Sequence, residues 1–149
     1  MAVAPPTGDR ASSANAPARI LVIDDDSCVG AAIQAILDRR QCETVLASRA
    51  RAGIDMLERS MFDVVLIDIF MPGLSGLNAI EYIRHEWPIP IIAMSGFPLR
   101  TLEDTVDHLS IAARRGATLC MRKPFKPSQL IEAVEWSVGL RRHAEGSIH

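Results

Sequence analysis

The sequence has little of what marks several common classes of protein. Its 149 residues include three cysteines, Cys28, Cys42 and Cys120, with no Cys-x-x-Cys spacing, so neither a disulfide framework nor a cysteine metal site is indicated. The four histidines are scattered without metal-ligand spacing. No apolar run reaches the length of a membrane span, and the N-terminus lacks the apolar core of a signal peptide. These features favour a cytoplasmic protein with reduced thiols.

Excess charge of one sign is also missing, since the formal net charge is −2. The sequence therefore offers no electrostatic argument for nucleic acid as the main partner, and no membrane partner is expected. Hydrophobic residues make up 48% of the chain, which fits one compact domain and argues against disorder. Residues 1–18 are the exception, because they are rich in Ala, Pro and Ser and predict a disordered tail.

Apolar runs that alternate with helical patterns make up the rest of the chain. The run at 64–67 has four branched apolar residues without alternation, which predicts a strand buried on both faces of a parallel sheet. Similar runs predict strands at 19–23, 43–47, 89–94 and 118–122. Five helices are predicted between and after them, so the fold class is α/β, a doubly wound (βα)5 five-stranded parallel sheet. We expect the domain to span 19–142, followed by a short polar tail at 143–149.

Particular residues are expected to cap the helices and to face the core. Ser48 is a plausible N-cap of the second helix, and Ser128 of the last. The predicted inner face of the fourth helix consists of Leu102, Val106, Leu109 and Ala113. Trp136 falls opposite the inner face of the last helix, and we interpret it as an exposed residue with a modest preference for a dimer or partner contact.

Four of the predicted strands end in polar residues. The first runs into Asp24 and Asp25 of an acidic triplet, the third into Asp68, the fourth into Ser95 and the fifth into Lys123. Because the carboxyl ends of parallel strands share one edge of the sheet, these side chains are expected to lie close together. Each alone has a structural explanation: a helix cap for the triplet, a turn for the serine, a solvated charge for the lysine.

Together these residues suggest phosphoryl transfer to a carboxylate. A carboxylate such as Asp68 can act as a nucleophile and form an aspartyl phosphate. Mg²⁺ held by Asp25 and Asp68, with Asp24 through water, would neutralise phosphoryl oxygens. Lys123 would hold another phosphoryl oxygen, and the Ser95 hydroxyl would donate to the rest.

Four motifs carry a resemblance to a known family. They are the acidic cluster in residues 20–26, the stretch that follows Asp68 as far as Gly76, the Met-Ser-Gly at 94–96 and the Lys-Pro-Phe at 123–125. Over about residues 19–142, the chain resembles a response-regulator receiver domain of two-component and phosphorelay signalling. The resemblance implies the flavodoxin-like strand order 2-1-3-4-5 and a cis peptide between Lys123 and Pro124.

The resemblance also implies roles for the site residues. Asp68 is the implied phosphoacceptor, Mg²⁺ is held by Asp24, Asp25, Asp68 and the backbone carbonyl of Phe70, and Ser95 and Lys123 contact the phosphoryl group. Such a protein is a phosphoacceptor rather than an ordinary enzyme, taking part in its own phosphotransfer and slow autodephosphorylation. The implied donor is a histidine kinase or a histidine phosphotransfer protein. With only 139–149 after the last core residue, docking through the face of the fourth helix, fifth strand and fifth helix, to a target or a second copy, is the expected output.

The sequence departs from the family pattern at three places. Cys120 stands where family members usually have Tyr or Phe, which keeps a phosphorylation-independent interaction module as the alternative function. The segment from 96 to 122 is longer than usual, and Ser75 replaces a frequent Asp with little expected effect. Two further classes fit less well. An aspartyl-phosphate hydrolase would carry a second Asp where Phe70 stands, and a flavin or nucleotide binder would need a phosphate loop after the first strand.

Two phenylalanines flank the predicted site. Phe70 lies two residues after Asp68, and Phe97 lies two residues after Ser95. By resemblance, these positions influence the attack of water on the phosphoryl group. Our hypothesis is that the two rings hinder water and prolong the lifetime of phospho-Asp68. The alternative is that both rings turn away into neighbouring loops.

Overall fold

A computed structural model describes residues 16–71, 73–96 and 108–146, and in these ranges the alternation of strands and helices is confirmed. The strands are β1 (Arg19–Ile23), β2 (Glu43–Ala47), β3 (Val64–Asp68), β4 (Ile91–Ser95) and β5 (Leu119–Arg122). The helices are α1 (Ser27–Asp38), α2 (Ala50–Arg59), α3 (Gly76–Glu86), α4 (His108–Arg115) and α5 (Pro127–Gly146).

The five strands form one parallel sheet in the order β2-β1-β3-β4-β5, as predicted. The central strand β3 is buried along its whole length, because helices cover both faces of the sheet and its branched side chains fill both layers. In the register of the sheet, Asp68 at the end of β3 lies beside Met94, and Ser95 at the end of β4 lies beside Arg122. The ends of β3, β4 and β5 are therefore level with one another.

Two apolar clusters, one on each face, hold the sheet between the helices. Along β1 and β3, alternate residues point to opposite sides, as strand geometry requires. On one side Ile23 and Ile67 pack against buried residues of α2, α3 and α4. On the other side Val22 and Leu66 pack against buried residues of α1 and α5. In the part of the chain that the structure describes, no helix has the length and apolar character needed to cross a membrane.

Both predicted serine caps are wrong. Helix α2 has Arg49 at its cap position, without a capping hydrogen bond from the side chain. Helix α5 begins at Pro127, so Ser128 lies inside its first turn. Proline suits the first helical position because its missing N–H would have no helical partner there. The Gln129 side chain instead accepts a hydrogen bond from the backbone N–H of Lys126, at 2.8 Å.

The prediction for the fourth helix is correct only in part. Leu109 packs against the core, but Ala112 is the buried alanine and Ala113 is exposed. Both the third and the fourth residue after Leu109 can share its face of a helix, and the sequence offers alanine at both. Leu102, Val106 and Phe97 lie outside the described residues. At the C-terminus, α5 continues to Gly146 and therefore includes the first residues of the predicted tail.

Close packing of α3 against the end of β3 requires glycine at position 76. A Cβ atom there would overlap the backbone carbonyl oxygen of Asp68 and the Cα of Ile69. The preceding residue, Ser75, caps the helix, since its Oγ accepts a hydrogen bond from the N–H of Asn78 at 3.2 Å. The start of α3 is thus fixed directly against the backbone that carries Asp68.

We expect Gly76→Ala to destabilise the protein by about 1–3 kcal/mol, because the new methyl group forces the start of α3 away from β3. The matched control is Gly139→Ala in α5, where a Cβ would meet no atom within 4 Å. This control should be neutral or stabilising by up to about 1 kcal/mol, since alanine has the higher helix propensity. Urea unfolding of both variants measures the difference, and equal midpoints would contradict the close-approach argument.

Candidate functional site

The carboxyl edge of the sheet brings the predicted polar residues together. The carboxylates of Asp24, Asp25 and Asp68 offer oxygen atoms that lie within 4.8 Å of one another. The Nζ of Lys123 lies 2.6 Å from Oδ2 of Asp24 and 3.3 Å from Oδ2 of Asp68. One ammonium group therefore bridges acids that follow β1 and end β3.

In the acidic triplet, Asp26 caps a helix, whereas Asp24 and Asp25 belong to the site. Asp26 caps α1, since its Oδ1 accepts hydrogen bonds from the N–H groups of Cys28 and Val29 at 2.9 and 3.4 Å. Asp24 is buried and held in place by its own backbone N–H, which donates to the carbonyl of Ala47 at 3.0 Å. The cap and the acidic site are thus both present, on neighbouring residues of one triplet.

Asp68 is oriented by the backbone that follows it. Its Oδ1 accepts a hydrogen bond from the N–H of Phe70 at 3.0 Å, while Oδ2 faces Lys123. The N–H of Ile69 continues the ladder by donating to the carbonyl of Met94 at 2.9 Å. The carboxylate is therefore held at the point where the strand changes into a loop.

Ser95 and Lys123 are joined through the backbone of neighbouring strands. The N–H of Lys123 donates to the carbonyl of Ser95 at 2.8 Å. The Ser95 side chain is buried, and its hydroxyl donates to the carbonyl of Gly96 at 3.2 Å. The peptide between Lys123 and Pro124 is cis, as the family resemblance implied.

The electrostatics of the site follow from burial and close charges. Burial raises the pKa of Asp68, and the charge of Asp24 adds to the rise, while the Phe70 N–H and Lys123 act in the opposite direction. An acid with a raised folded-state pKa stabilises the fold at low pH, and this contribution is lost as the pH rises through that pKa. Ionised Asp68 therefore opposes folding at neutral pH.

Lys123 shows the opposite balance. Burial acts to lower its pKa, but the hydrogen bond to Asp24 and the charge of Asp68 outweigh burial, so its pKa is raised. Its stabilising contribution is present at neutral pH and is lost only when the pH rises through its own pKa. The Lys123 side chain is therefore expected to be protonated at neutral pH.

The donor set fits a divalent cation such as Mg²⁺. Three carboxylates converge around the single positive charge of Lys123, so negative charge is in excess. Hard cations of this kind take oxygen ligands, usually one or two carboxylates together with water and phosphate. Asp25 is exposed, which leaves the cluster accessible to ions from solvent.

The surroundings of the site include one residue that sequence reasoning missed. The ring of Phe70, which is 38% exposed, packs edge-on against the imidazole of His108, with ring centroids 4.7 Å apart. No sequence signal pairs two residues that are 38 positions apart without a shared motif. On β5, the Sγ of half-buried Cys120 lies 3.4 Å from the carbonyl oxygen of Leu109 in α4.

Residues 20–135 match the family model of the response regulator receiver domain. The match covers well over half of the chain and contains the whole acidic cluster, Ser95 and Lys123. The chain therefore belongs to the family of response regulator receiver domains, which are the receiver modules of two-component signalling.

Curated relatives agree with this assignment. The regulatory protein VanR of Enterococcus faecium is 30% identical over 129 residues, which cover 87% of this chain and 52% of VanR. The DNA-binding response regulator MtrA of Mycobacterium tuberculosis is 28% identical over 116 residues, 78% of this chain and 48% of MtrA. The chain thus spans about half the length of these relatives.

Solved structures show the same fold. The receiver domain of NtrX from Brucella abortus has a TM-score of 0.72 and 28% identity, covering 80% of this chain and 98% of that one. A response regulator receiver domain protein from Clostridium thermocellum has a TM-score of 0.71 and 25% identity, covering 89% of this chain and 99% of that one.

We expect Lys123→Met, measured with EDTA present, to destabilise the protein by about 3–5 kcal/mol, because it leaves the buried Asp24 carboxylate without its partner. Lys126→Met, at an exposed lysine in the same segment, is the matched control and should change stability by less than about 0.5 kcal/mol.

Adding Asp24→Asn to Lys123→Met removes the unpaired charge and should recover part of the loss. Thermal or urea unfolding measures all three variants. If the double variant is no more stable than Lys123→Met, the lost stability does not come from the unpaired Asp24 carboxylate.

Proposed function

We propose that this chain is a phospho-accepting response regulator, which takes a phosphoryl group onto Asp68 with Mg²⁺. The observation that carries the proposal is the position of the Asp68 carboxylate at the end of the central strand. It lies 3.3 Å from the Lys123 ammonium, and oxygens of Asp24 and Asp25 complete a group within 4.8 Å. A nucleophilic carboxylate needs such positive charge nearby when a phosphoryl group approaches.

The transfer itself follows from these positions. An oxygen of Asp68 attacks the phosphorus of a phosphohistidine, the new O–P bond forms as the N–P bond breaks, and the electron pair stays with the donor imidazole. Lys123 neutralises a phosphoryl oxygen, and the Ser95 hydroxyl can turn from the carbonyl of Gly96 to donate to another. Asp24, Asp25, Asp68 and the carbonyl of Phe70 would hold Mg²⁺, which supplies further neutralisation of phosphoryl charge when bound.

An apolar groove beside Lys123 supports a protein as the phosphodonor. The groove has a volume of about 390 Å³ and runs between α1 and the segment that follows β5. Its apolar lining consists of Val29, Ala32, Ile33, Ile36, Pro124, Phe125 and Pro127. A groove of this kind accepts the apolar face of a helix. A histidine kinase or phosphotransfer protein that docks there would present its phosphohistidine next to Lys123.

Downstream, we propose signalling by protein docking, to a target or a second copy through the face formed by α4, β5 and α5. Trp136 supports this, since it is 52% exposed as predicted, and Leu140 one turn later is 39% exposed. Reduced thiols at all three cysteines support a cytoplasmic location.

The decisive test is the intact mass of the protein after incubation with acetyl phosphate and Mg²⁺. We expect a mass gain of one phosphoryl group in the parent protein, none after addition of EDTA and none in Asp68→Asn. Asp68→Asn keeps the size of the side chain but removes the nucleophilic carboxylate, so it is the matched control.

Absence of the gain, although Mg²⁺ raises the melting temperature, would overturn the proposal. That outcome would favour the second candidate, a phosphorylation-independent interaction module. Cys120 is the observation that favours this candidate, because it places a small thiol on β5 where the resemblance implies an aromatic ring.

We further propose that phospho-Asp68 is long-lived because Phe70 offers no polar group to orient an attacking water. Phe70→Asn should shorten the lifetime of the phosphorylated form several-fold, since an amide can hold water near the phosphoryl group. Decay of the mass gain after removal of acetyl phosphate measures the lifetime. Tyr82→Asn, at an exposed aromatic residue of α3, is the control and should leave it unchanged. An unchanged lifetime in Phe70→Asn would contradict this part of the proposal.

A further inference from the structure

Helix α4 buries fewer of its described residues than the neighbouring helix α3. Among its described residues, Ala112 alone is fully buried, whereas α3 beside it buries Gly76, Ala79, Ile80 and Ile83. Alanine contributes little apolar area to the core. A helix with few buried contacts can shift or open at lower cost than one with many.

One residue reaches from the phosphoacceptor to this helix. The N–H of Phe70 donates to Oδ1 of Asp68 at 3.0 Å, and the Phe70 ring packs edge-on against His108 in the first described turn of α4. The centroid distance of 4.7 Å and the interplanar angle of 68° are those of a favourable edge-to-face pair. The Phe70 backbone at Asp68 and the first described turn of α4 are therefore linked through one ring contact.

A second contact reaches the same turn from β5. The Sγ of Cys120 lies 3.4 Å from the carbonyl oxygen of Leu109, the residue after His108. Cys120 is three residues before Lys123, whose ammonium bridges Asp24 and Asp68. The loop after β3 and strand β5 therefore contact consecutive residues of this helix.

We propose that the first described turn of α4 reports the state of Asp68, and that the Phe70–His108 ring pair is the contact that couples them. The inference rests on the proposed phosphorylation of Asp68. Formation of the acyl phosphate removes the carboxylate charge that the Phe70 N–H now faces, and it draws Lys123 toward the new phosphoryl oxygens. Both changes displace the backbone that carries Phe70 and Cys120, whose side chains contact His108 and Leu109, and α4 follows.

The experiment is amide hydrogen exchange of residues 108–115, measured by mass spectrometry with and without acetyl phosphate and Mg²⁺. The phosphorylated fraction is read from the intact mass of the same samples, and the exchange difference is normalised to it. The variants are His108→Ala, which removes the ring, and His108→Phe, which retains one. Tyr82→Ala is the control, since Tyr82 belongs to an edge-on pair with Trp87 at 6.2 Å that does not include a site residue.

We expect phosphorylation to change exchange in residues 108–115 of the parent protein, of His108→Phe and of Tyr82→Ala. In His108→Ala the change should fall to less than half at the same phosphorylated fraction. A merely structural role of His108 would alter exchange equally in both states and leave the difference intact. An undiminished difference in His108→Ala overturns the coupling, as does a parent protein that is phosphorylated without any change in α4. A parent that gains no phosphoryl mass overturns the proposed function itself, and the coupling with it.

Discussion

The bridge from the Lys123 ammonium to Asp24 and Asp68 is the interaction on which the site depends. It joins residues that are 99 and 55 positions apart in the sequence, and it is possible because β1, β3 and β5 end at the same edge of one sheet. Paired buried charges are costly to separate, so the bridge holds the segments after β1 and β5 against the end of β3. It also leaves negative charge in excess, which a bound divalent cation can balance.

Close packing and backbone hydrogen bonds fix the positions of the acids around this bridge. Gly76 lets the start of α3 lie against the carbonyl of Asp68, and the N–H of Phe70 fixes one carboxylate oxygen. Asp26 caps α1, which keeps the neighbouring acids available for the site. Close approach at the start of α3 and capping at the start of α1 position the acids that Lys123 bridges, and Asp25 remains exposed to solvent.

The apolar groove and helix α4, which both border the site, lie on opposite faces of the sheet. The apolar groove beside Lys123 is formed by α1 and the segment after β5, on the side of the sheet opposite to α4. Helix α4 lies on the other side, where Phe70 and Cys120 contact its first described turn. A protein arranged in this way could receive a phosphoryl group on one side of its sheet and present the consequence on the other.

Most of the fold was predictable because buried parallel strands leave an unmistakable pattern. The unbroken apolar runs of β1, β3 and β4 indicated a sheet covered on both faces, and the carboxyl ends of the strands then had to share an edge. The predicted gathering of Asp24, Asp25, Asp68 and Lys123 needs only that topology, and the structure brings these residues together. The assignment of Asp68 as phosphoacceptor stays a proposal.

Finer features depended on energies that the sequence pattern does not contain. Ser48 and Ser128 are good capping residues, yet α2 has Arg49 at its cap position and α5 begins at Pro127. The choice between Ala112 and Ala113 was decided by the rotation of α4 on the sheet. The sequence by itself determined the fold class and the residue types that gather at the strand ends, because both follow from local hydrophobic pattern and residue identity. Only the tertiary structure decided which acid caps a helix and which ring meets Phe70, because those contacts depend on the relative placement of distant segments.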